Sequence, residues 1–300
     1  MAVFYRKELD PVLEDLIAEP VRVIRPSRQT IPFVFASPHS GRLYPPGFIE
    51  KSRLHPTALR RSEDAFVDEL FDPVRALGAP MLIARFPRAY LDANRAPTEL
   101  DPAMFDGALS LAVDRGSPRV QAGLGVIPRV VREGAEIYRA RLPVREAEFR
   151  IRHFYQPYHL QLTRLVEAVR AAFGVAIVVD CHSMPSAAAS PDIVIGDRLG
   201  LSAFAEVVSA AERAFAAGGF SVARNTPYAG GHTIHVHGRP ADGVHALQIE
   251  INRGLYLDEE RVERGEWFAD VHRTVGEALH RLVSLDLGKI APPAISIAAE

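Results

Sequence analysis

The stretch Gly174-Val-Ala-Ile-Val-Val-Asp-Cys-His-Ser-Met184 decides how the chain is read. Val175 to Val179 is an unbroken apolar run rich in β-branched residues, the pattern of a strand buried on both faces inside an α/β sheet. The run leads into Asp180, Cys181 and His182. In open α/β sheets ligands bind beyond the carboxyl ends of the strands, so this strand delivers polar side chains where sites form. Side chains alternate along a strand, so Asp180 and His182 share one face and Cys181 takes the other. That alternation argues against a nucleophilic Cys–His pair made from these neighbours. His182 is either a ligand or base at the strand end, or a hydrogen-bonded histidine that caps the strand.

Working outward, Ile31 to Ser37 reads as a second buried strand, entering the turn-forming cluster Pro38-His39-Ser40-Gly41. It too ends at a histidine. Ser62 is placed to cap a helix beginning at Glu63-Asp64, with Val67, Leu70, Phe71 and Val74 on its core stripe. Asp64 falls in line with that stripe and Asp68 one turn later, so a carboxylate points toward buried structure. Simple complementarity to the helix dipole accounts for it equally well. After Gly78, Ala79 to Phe86 is a further strand. It is followed by a polar block, Arg88-Ala-Tyr-Leu-Asp-Ala-Asn-Arg95, whose arginines suit either bidentate binding of a carboxylate or surface ion pairs.

The rest of the chain alternates in the same manner. Residues 97–135 show no period and read as a long irregular excursion. Pro143 to Phe173 predicts a long helix that Pro157 kinks or divides. A short strand over 192–195, a helix over 202–217 and a strand over 220–223 follow. Residues 225–243 form a loop rich in glycine and histidine, with His232, His235 and His237 as candidate ligands or solvated side chains. Val244 to Ile251 is the last strand. Glu250 lies among its apolar residues, where an unpartnered carboxylate is costly and therefore needs a role. A terminal helix spans 258–285. Residues 1–30 are a peripheral lead-in and 291–300 a frayed tail. No linker divides the chain, so residues 1–300 are expected to form one domain of α/β class.

Composition narrows the function. The 300 residues are 48% hydrophobic and 24% charged, ordinary values for a globular protein. A formal net charge of −2 gives no electrostatic case for nucleic acid or an anionic membrane. No apolar run is long enough to span a bilayer, and the N-terminus lacks an apolar signal core. One cysteine excludes an internal disulfide framework and fits a reducing cytoplasm. Oligomeric state is left open.

Two strand-end histidines, a core-directed aspartate and a buried glutamate point to one chemistry in particular. Catalytic zinc sites take His/His/carboxylate sets and keep a further position for water, whose proton a neighbouring glutamate accepts. His39, Asp64, His182, Glu250 and Arg95 fill these roles, although the ligands are scattered and no compact H-E-x-x-H helix is present.

From about residue 30 to 260 the chain also resembles the N-formylglutamate amidohydrolases. The likeness runs through Ser37-Pro-His-Ser-Gly41, Asp64 with Val67-Asp68 and Leu70-Phe71, Asp92-Ala-Asn-Arg95, and Pro157-Tyr-His159. It continues through Asp180-Cys-His-Ser183, Asn225 with Gly230-Gly231, Gly238-Arg-Pro240 and His245-Ala-Leu-Gln-Ile-Glu250. That family is related to the zinc carboxypeptidases and the aspartoacylase-like deacylases. The resemblance implies a phosphorylase/hydrolase-like three-layer α/β/α sandwich with a mixed central sheet. It implies hydrolysis of N-formyl-L-glutamate to formate and L-glutamate, a step of histidine degradation, with Zn2+ or another divalent metal such as Co2+ or Fe2+. His39 and His182 would be metal ligands, with Asp64 favoured over Asp68 as the carboxylate. Glu250 would be the general base, and Arg88 would help stabilise the oxyanion. Asn94, Arg95 and Arg253 would hold the substrate's carboxylates. Two other readings stay in play. One is a deacylase or carboxypeptidase-like hydrolase acting on another small N-acyl amino acid or peptide. The other is a non-catalytic small-molecule-binding protein on this scaffold.

Overall fold

The computed structural model describes residues 10–131, 134–186, 191–286 and 288. Its centre is a seven-stranded sheet. The strands are β1 (Val21–Ile24), β2 (Phe33–Ser37), β3 (Met81–Ala84), β4 (Ala176–Met184), β5 (Ile193–Gly196), β6 (Val222–Arg224) and β7 (Val244–Asn252), in the order β1-β3-β2-β4-β7-β5-β6. β2 runs parallel to β3 and β4, and β4 parallel to β7. β5 is antiparallel to β7 and parallel to β6, so the sheet is mixed, with helices around it, the α/β arrangement expected.

The two central strands are buried along almost their whole length, as their apolar runs require. One face carries Ile177, Val179 and Cys181 of β4 and Leu247, Ile249 and Ile251 of β7. They pack in a single apolar cluster with side chains of the helices Val67–Leu70, Ala205–Ala216 and Phe268–Val283. Each such large apolar side chain contributes roughly 1.5–3 kcal/mol on leaving water. Period-two alternation then puts Asp180, His182, Gln248 and Glu250 on the opposite face. The short helix His232–His237 sits against β4 and β7.

The chain divides into two compact units. The first comprises Met1–Arg22, Gly41–Glu63 and Ala84–Tyr158. Its interior is built on a fully buried Arg150, whose Nη1 donates to the Tyr138 hydroxyl (2.7 Å) and the Tyr90 carbonyl (3.0 Å). Nε and Nη2 of Arg150 both reach Glu146 Oε2, at 3.1 and 3.0 Å, and the guanidinium lies 3.9 Å from the Tyr90 ring centroid. The charge is therefore paired, hydrogen-bonded and stacked, the conditions under which a buried arginine is tolerated. The second unit comprises Val23–Ser40, Asp64–Ile83 and His159–Glu300, and holds nearly all of the sheet.

Several local expectations are corrected. The helix expected from Glu63 is a single turn, Val67–Leu70, followed by a 3-10 turn, Asp72–Arg75. Ser62 does not cap it; Phe66 stands at the N-cap with φ 61°, in the left-handed region. The division of the 143–173 helix at Pro157 is as expected, and it falls in the turn just before the proline. Val144–Arg150 is α-helical, Ile151–Tyr155 is a π turn, and Gln156–Phe173 is α-helical again. A proline lacks the N–H that would bond four residues back, so register is lost in the preceding turn. Within the segment read as a loop, His232–His237 is helical. The terminal helix begins at Phe268, after a small ribbon of Leu257–Asp258 and Glu263–Arg264. The lead-in contributes β1, an edge strand of the sheet. The tail 291–300 lies outside the described residues.

Candidate active site

Four elements of the second unit bring the site together. The turn after β2 supplies His39, the segment before the one-turn helix supplies Asp64, β4 supplies Asp180 and His182, and β7 supplies Glu250. His39, Asp64 and His182 are all but sealed from solvent. Asp64 Oδ2 lies 3.1 Å from His39 Nδ1 and 2.8 Å from His182 Nδ1, and the two imidazoles meet edge-on at 4.8 Å. These three residues form the one group among those described whose ligand atoms are close enough to share a cation, all within 4.8 Å of one another. Asp68 is outside it; its backbone N–H donates to Ser40 Oγ at 3.1 Å.

The local sequence explains how Asp64 is held. Ser40 Oγ donates to the Asp64 carbonyl (3.1 Å), and the Asp64 N–H donates to the His39 carbonyl (3.1 Å). The Ser-Pro-His-Ser turn is thus bolted to the aspartate segment on both sides of the side chain. Tyr256 adds a hydroxyl bond to the Ala65 carbonyl at 3.0 Å. These fixings surround the left-handed Phe66, a conformation that costs a non-glycine residue about 1–2 kcal/mol.

His182, Asp64 and Glu250 are each also fixed by a neighbour in a role that the sequence reading did not give it. His182 Nε2 lies 2.8 Å from Asp180 Oδ2, so a carboxylate orients this imidazole and turns Nδ1 toward Asp64. Arg253 Nη2 donates to Asp64 Oδ1 at 2.8 Å and its Nε to Ser183 Oγ at 3.0 Å. Asp64 is therefore shared, one oxygen toward the arginine and the other between the histidines. Glu250 stands beside His182 in the β4–β7 register and accepts from Gln248 Nε2 at 2.6 Å. Period-two alternation was the signal available for Asp180 and Gln248. No comparable signal links Arg253 to Asp64, 189 residues away.

The electrostatics agree with a cation site. Burial pushes the Asp64 carboxyl up, but hydrogen bonds with His182 and His39 outweigh it and hold the group well below the usual range. Burial pushes His182 down, but Asp180 and Asp64 outweigh it and raise it well above 6.5. Two carboxylates around the imidazole thus demand positive charge in this sealed space. A divalent cation on nitrogen and oxygen donors meets that demand as protons do.

Arg88, Asn94 and Arg95 lie in the first unit. Arg88 Nε donates to Asp92 Oδ2 at 3.0 Å, and Asp92 Oδ1 accepts the Asn94 N–H at 2.9 Å. Arg95 donates from Nε to the Leu124 carbonyl and from Nη1 to the Asn94 carbonyl, both at 3.0 Å. Burial lowers its pKa. His232 stacks edge-on with His159 at 5.7 Å and lies 6.2 Å from His235; neither pair falls in the cation group.

The N-formylglutamate amidohydrolase family model matches residues 31–257. The crystal structure of an N-formylglutamate amidohydrolase from Ralstonia eutropha is similar with a TM-score of 0.84 and 36% identity, over 88% of this chain and 97% of that one. N-formylglutamate deformylases of Pseudomonas aeruginosa and Pseudomonas putida are 29% and 28% identical, over 78% and 76% of this chain and 85% and 83% of theirs. The match spans every strand from β2 to β7 and each residue of the His39–Asp64–His182 group, and the chain belongs to the N-formylglutamate amidohydrolase family of hydrolases.

Proposed function

We propose that this chain hydrolyses N-formyl-L-glutamate to formate and L-glutamate in a metal-dependent reaction. The observation that carries the reading is the buried His39–Asp64–His182 group with Glu250 beside it in register, in a family whose relatives are named for that deformylation. Nδ1 of both histidines and Oδ2 of Asp64 would hold the cation, zinc or another divalent metal such as cobalt or iron. When bound, such an ion polarises an acyl carbonyl and makes water a better nucleophile at neutral pH.

The chain's own residues do the rest. Glu250 accepts the proton of the attacking water and delivers it to the amide nitrogen as the C–N bond breaks and a C–O bond forms at the formyl carbon. Arg88 supports the negative charge that develops on the formyl oxygen. Asn94 and Arg95 take the glutamate carboxylates, for which a guanidinium fork is suited. Arg253, expected from the sequence to join them, is assigned first to Asp64 on its distances. In this reading the full chain acts as one amidohydrolase domain in the cytoplasm. A single buried thiol and the absence, among the described residues, of a helix long and apolar enough to cross a membrane are in keeping with it.

The test is formate release by protein stripped of metal and then reconstituted with zinc, cobalt or iron, across a panel of N-formyl and N-acetyl amino acids. Formate release from N-formylglutamate above all others, restored by one of the metals, supports the reading. Preference for another acyl group or side chain reassigns the substrate, and equal activity in the stripped protein removes the metal.

A further inference from the structure

The glycine-rich segment ahead of His232 has no part in the reaction as described, yet it ends on Gly231, whose N–H donates to a side chain that touches Glu250. Gln248 and Glu250 are two apart on β7 and project from the same face. Gln248 Nε2 donates to Glu250 Oε1 at 2.6 Å, and Gln248 Oε1 accepts the backbone N–H of Gly231 at 2.8 Å. Both side chains are buried. A primary amide donates from its nitrogen and accepts at its oxygen, so one side chain makes both bonds. The Gly231 N–H has no alternative but to face an acceptor, so it fixes which end of the amide is oxygen. The NH2 end is then committed to the carboxylate.

Two glycines let the loop come close enough. Gly196 of β5 is the register partner of Gln248, and a Cβ there would lie 2.9 Å from the backbone C and O of Ala229 and 3.0 Å from the Gly230 nitrogen. The loop therefore rests directly on the backbone of β5. Gly230 has φ 125°, open in practice to glycine alone, and a Cβ there would meet Ile234 Cδ1 at 2.1 Å. Gly231 follows, with its N–H aimed at β7.

We infer that Gln248, clamped by the Gly231 N–H, is a positioning residue that holds the Glu250 carboxylate in its working orientation on the sheet face. The inference rests on the reading of Glu250 as general base. A loosened base loses proton-transfer geometry without losing metal or substrate contacts, so the effect belongs in kcat. The loop glycines thereby serve the reaction through two hydrogen bonds.

The test is a double-mutant cycle on metal-reconstituted full-length protein with N-formylglutamate, reading kcat, KM and bound metal per chain. Glu250→Gln removes the base; Gln248→Met keeps side-chain length and removes both hydrogen bonds. Gln248→Met is expected to lower kcat roughly tenfold or more, with KM and metal content within about twofold of wild type. In the Glu250→Gln background the same change is expected to alter the residual kcat by less than about twofold, because its route to the reaction is gone. Gly196→Ala, which moves the loop and leaves both side chains in place, is expected to repeat the pattern if Gln248→Met folds poorly. Equal losses of kcat in both backgrounds would make Gln248 a structural residue and overturn the inference. Wild-type turnover in Gln248→Met, with Glu250→Gln disabled, overturns this inference alone. Wild-type turnover in Glu250→Gln overturns it together with the base assignment.

Discussion

At the scale of single residues, Asp64 is the most constrained group of the site, with one oxygen on Arg253 and the other between two imidazoles. An arginine on the outer oxygen leaves the inner one to a cation, and such outer partners typically set 10–100-fold of metal affinity. Arg253→Met is therefore expected to weaken metal binding by about that factor, read by competition with a chelator. Unchanged affinity together with a raised KM would return Arg253 to the substrate. Arg95→Lys keeps the charge and loses the fork, so KM for N-formylglutamate is expected to rise with metal content unchanged. For Glu250, the change to glutamine preserves shape and removes the proton acceptor. Turnover should fall on the order of a hundredfold or more while metal still binds. A loss of melting temperature with kcat nearly intact would instead mean a purely structural carboxylate.

At the scale of elements, the parts legible in the sequence are those that follow period two. The apolar runs of β2, β4 and β7 announced buried strands, and alternation placed Asp180 with His182 and Glu250 with Gln248 on one face. The segment 232–237 was not legible, because His-Thr-Ile-His-Val-His has neither a helical stripe nor a cap. Its helix is held by packing against β4 and β7, and no local pattern encodes that. The same holds for the residues around Asp64. Propensity suggested a regular helix, whereas the hydrogen bonds of Ser40 and Tyr256 hold a tight turn with Phe66 left-handed. Gly41, by contrast, belongs to a turn-forming cluster that is plain in the sequence, and the structure makes it a close approach. A Cβ at this position would stand 2.0 Å from the Phe86 carbonyl oxygen, which is backbone and cannot step aside. Gly41→Ala is expected to destabilise the protein by about 2 kcal/mol or more, seen as a lowered midpoint in urea. A midpoint equal to wild type would mean the turn relaxes at little cost.

At the scale of the whole molecule, buried titratable groups make the stability of metal-free protein depend on pH in both directions. His182 has a folded pKa raised well above 6.5, so its contribution is fully present below about 6.5 and is lost as pH rises through the folded value. His237 has the opposite sign. Burial, then the charge of Arg239, lowers it to about 4, and its Nε2 is buried with no hydrogen-bond partner among the described residues. Its contribution is present above about 6.5 and is lost as pH falls toward 4, a loss on the order of 3 kcal/mol at most. Asp64, with its folded pKa depressed, loses its contribution at lower pH still, from about 4 downward. Metal-free protein should therefore be most stable near pH 6.5. A bound cation takes the place of the imidazole proton, since a metal ligates the neutral ring. Loading with zinc should accordingly remove much of the alkaline decline and leave the decline between pH 6.5 and 4 due to His237. His237→Leu fills the same buried space without a titrating group, so it should flatten that acid limb in the metal-free protein and leave the alkaline limb alone. Urea unfolding across pH 4 to 9, for wild type with and without zinc and for His237→Leu, separates the contributions. An acid limb that persists in His237→Leu would assign it to another group, and an alkaline limb indifferent to zinc would deny the cation its place at His182.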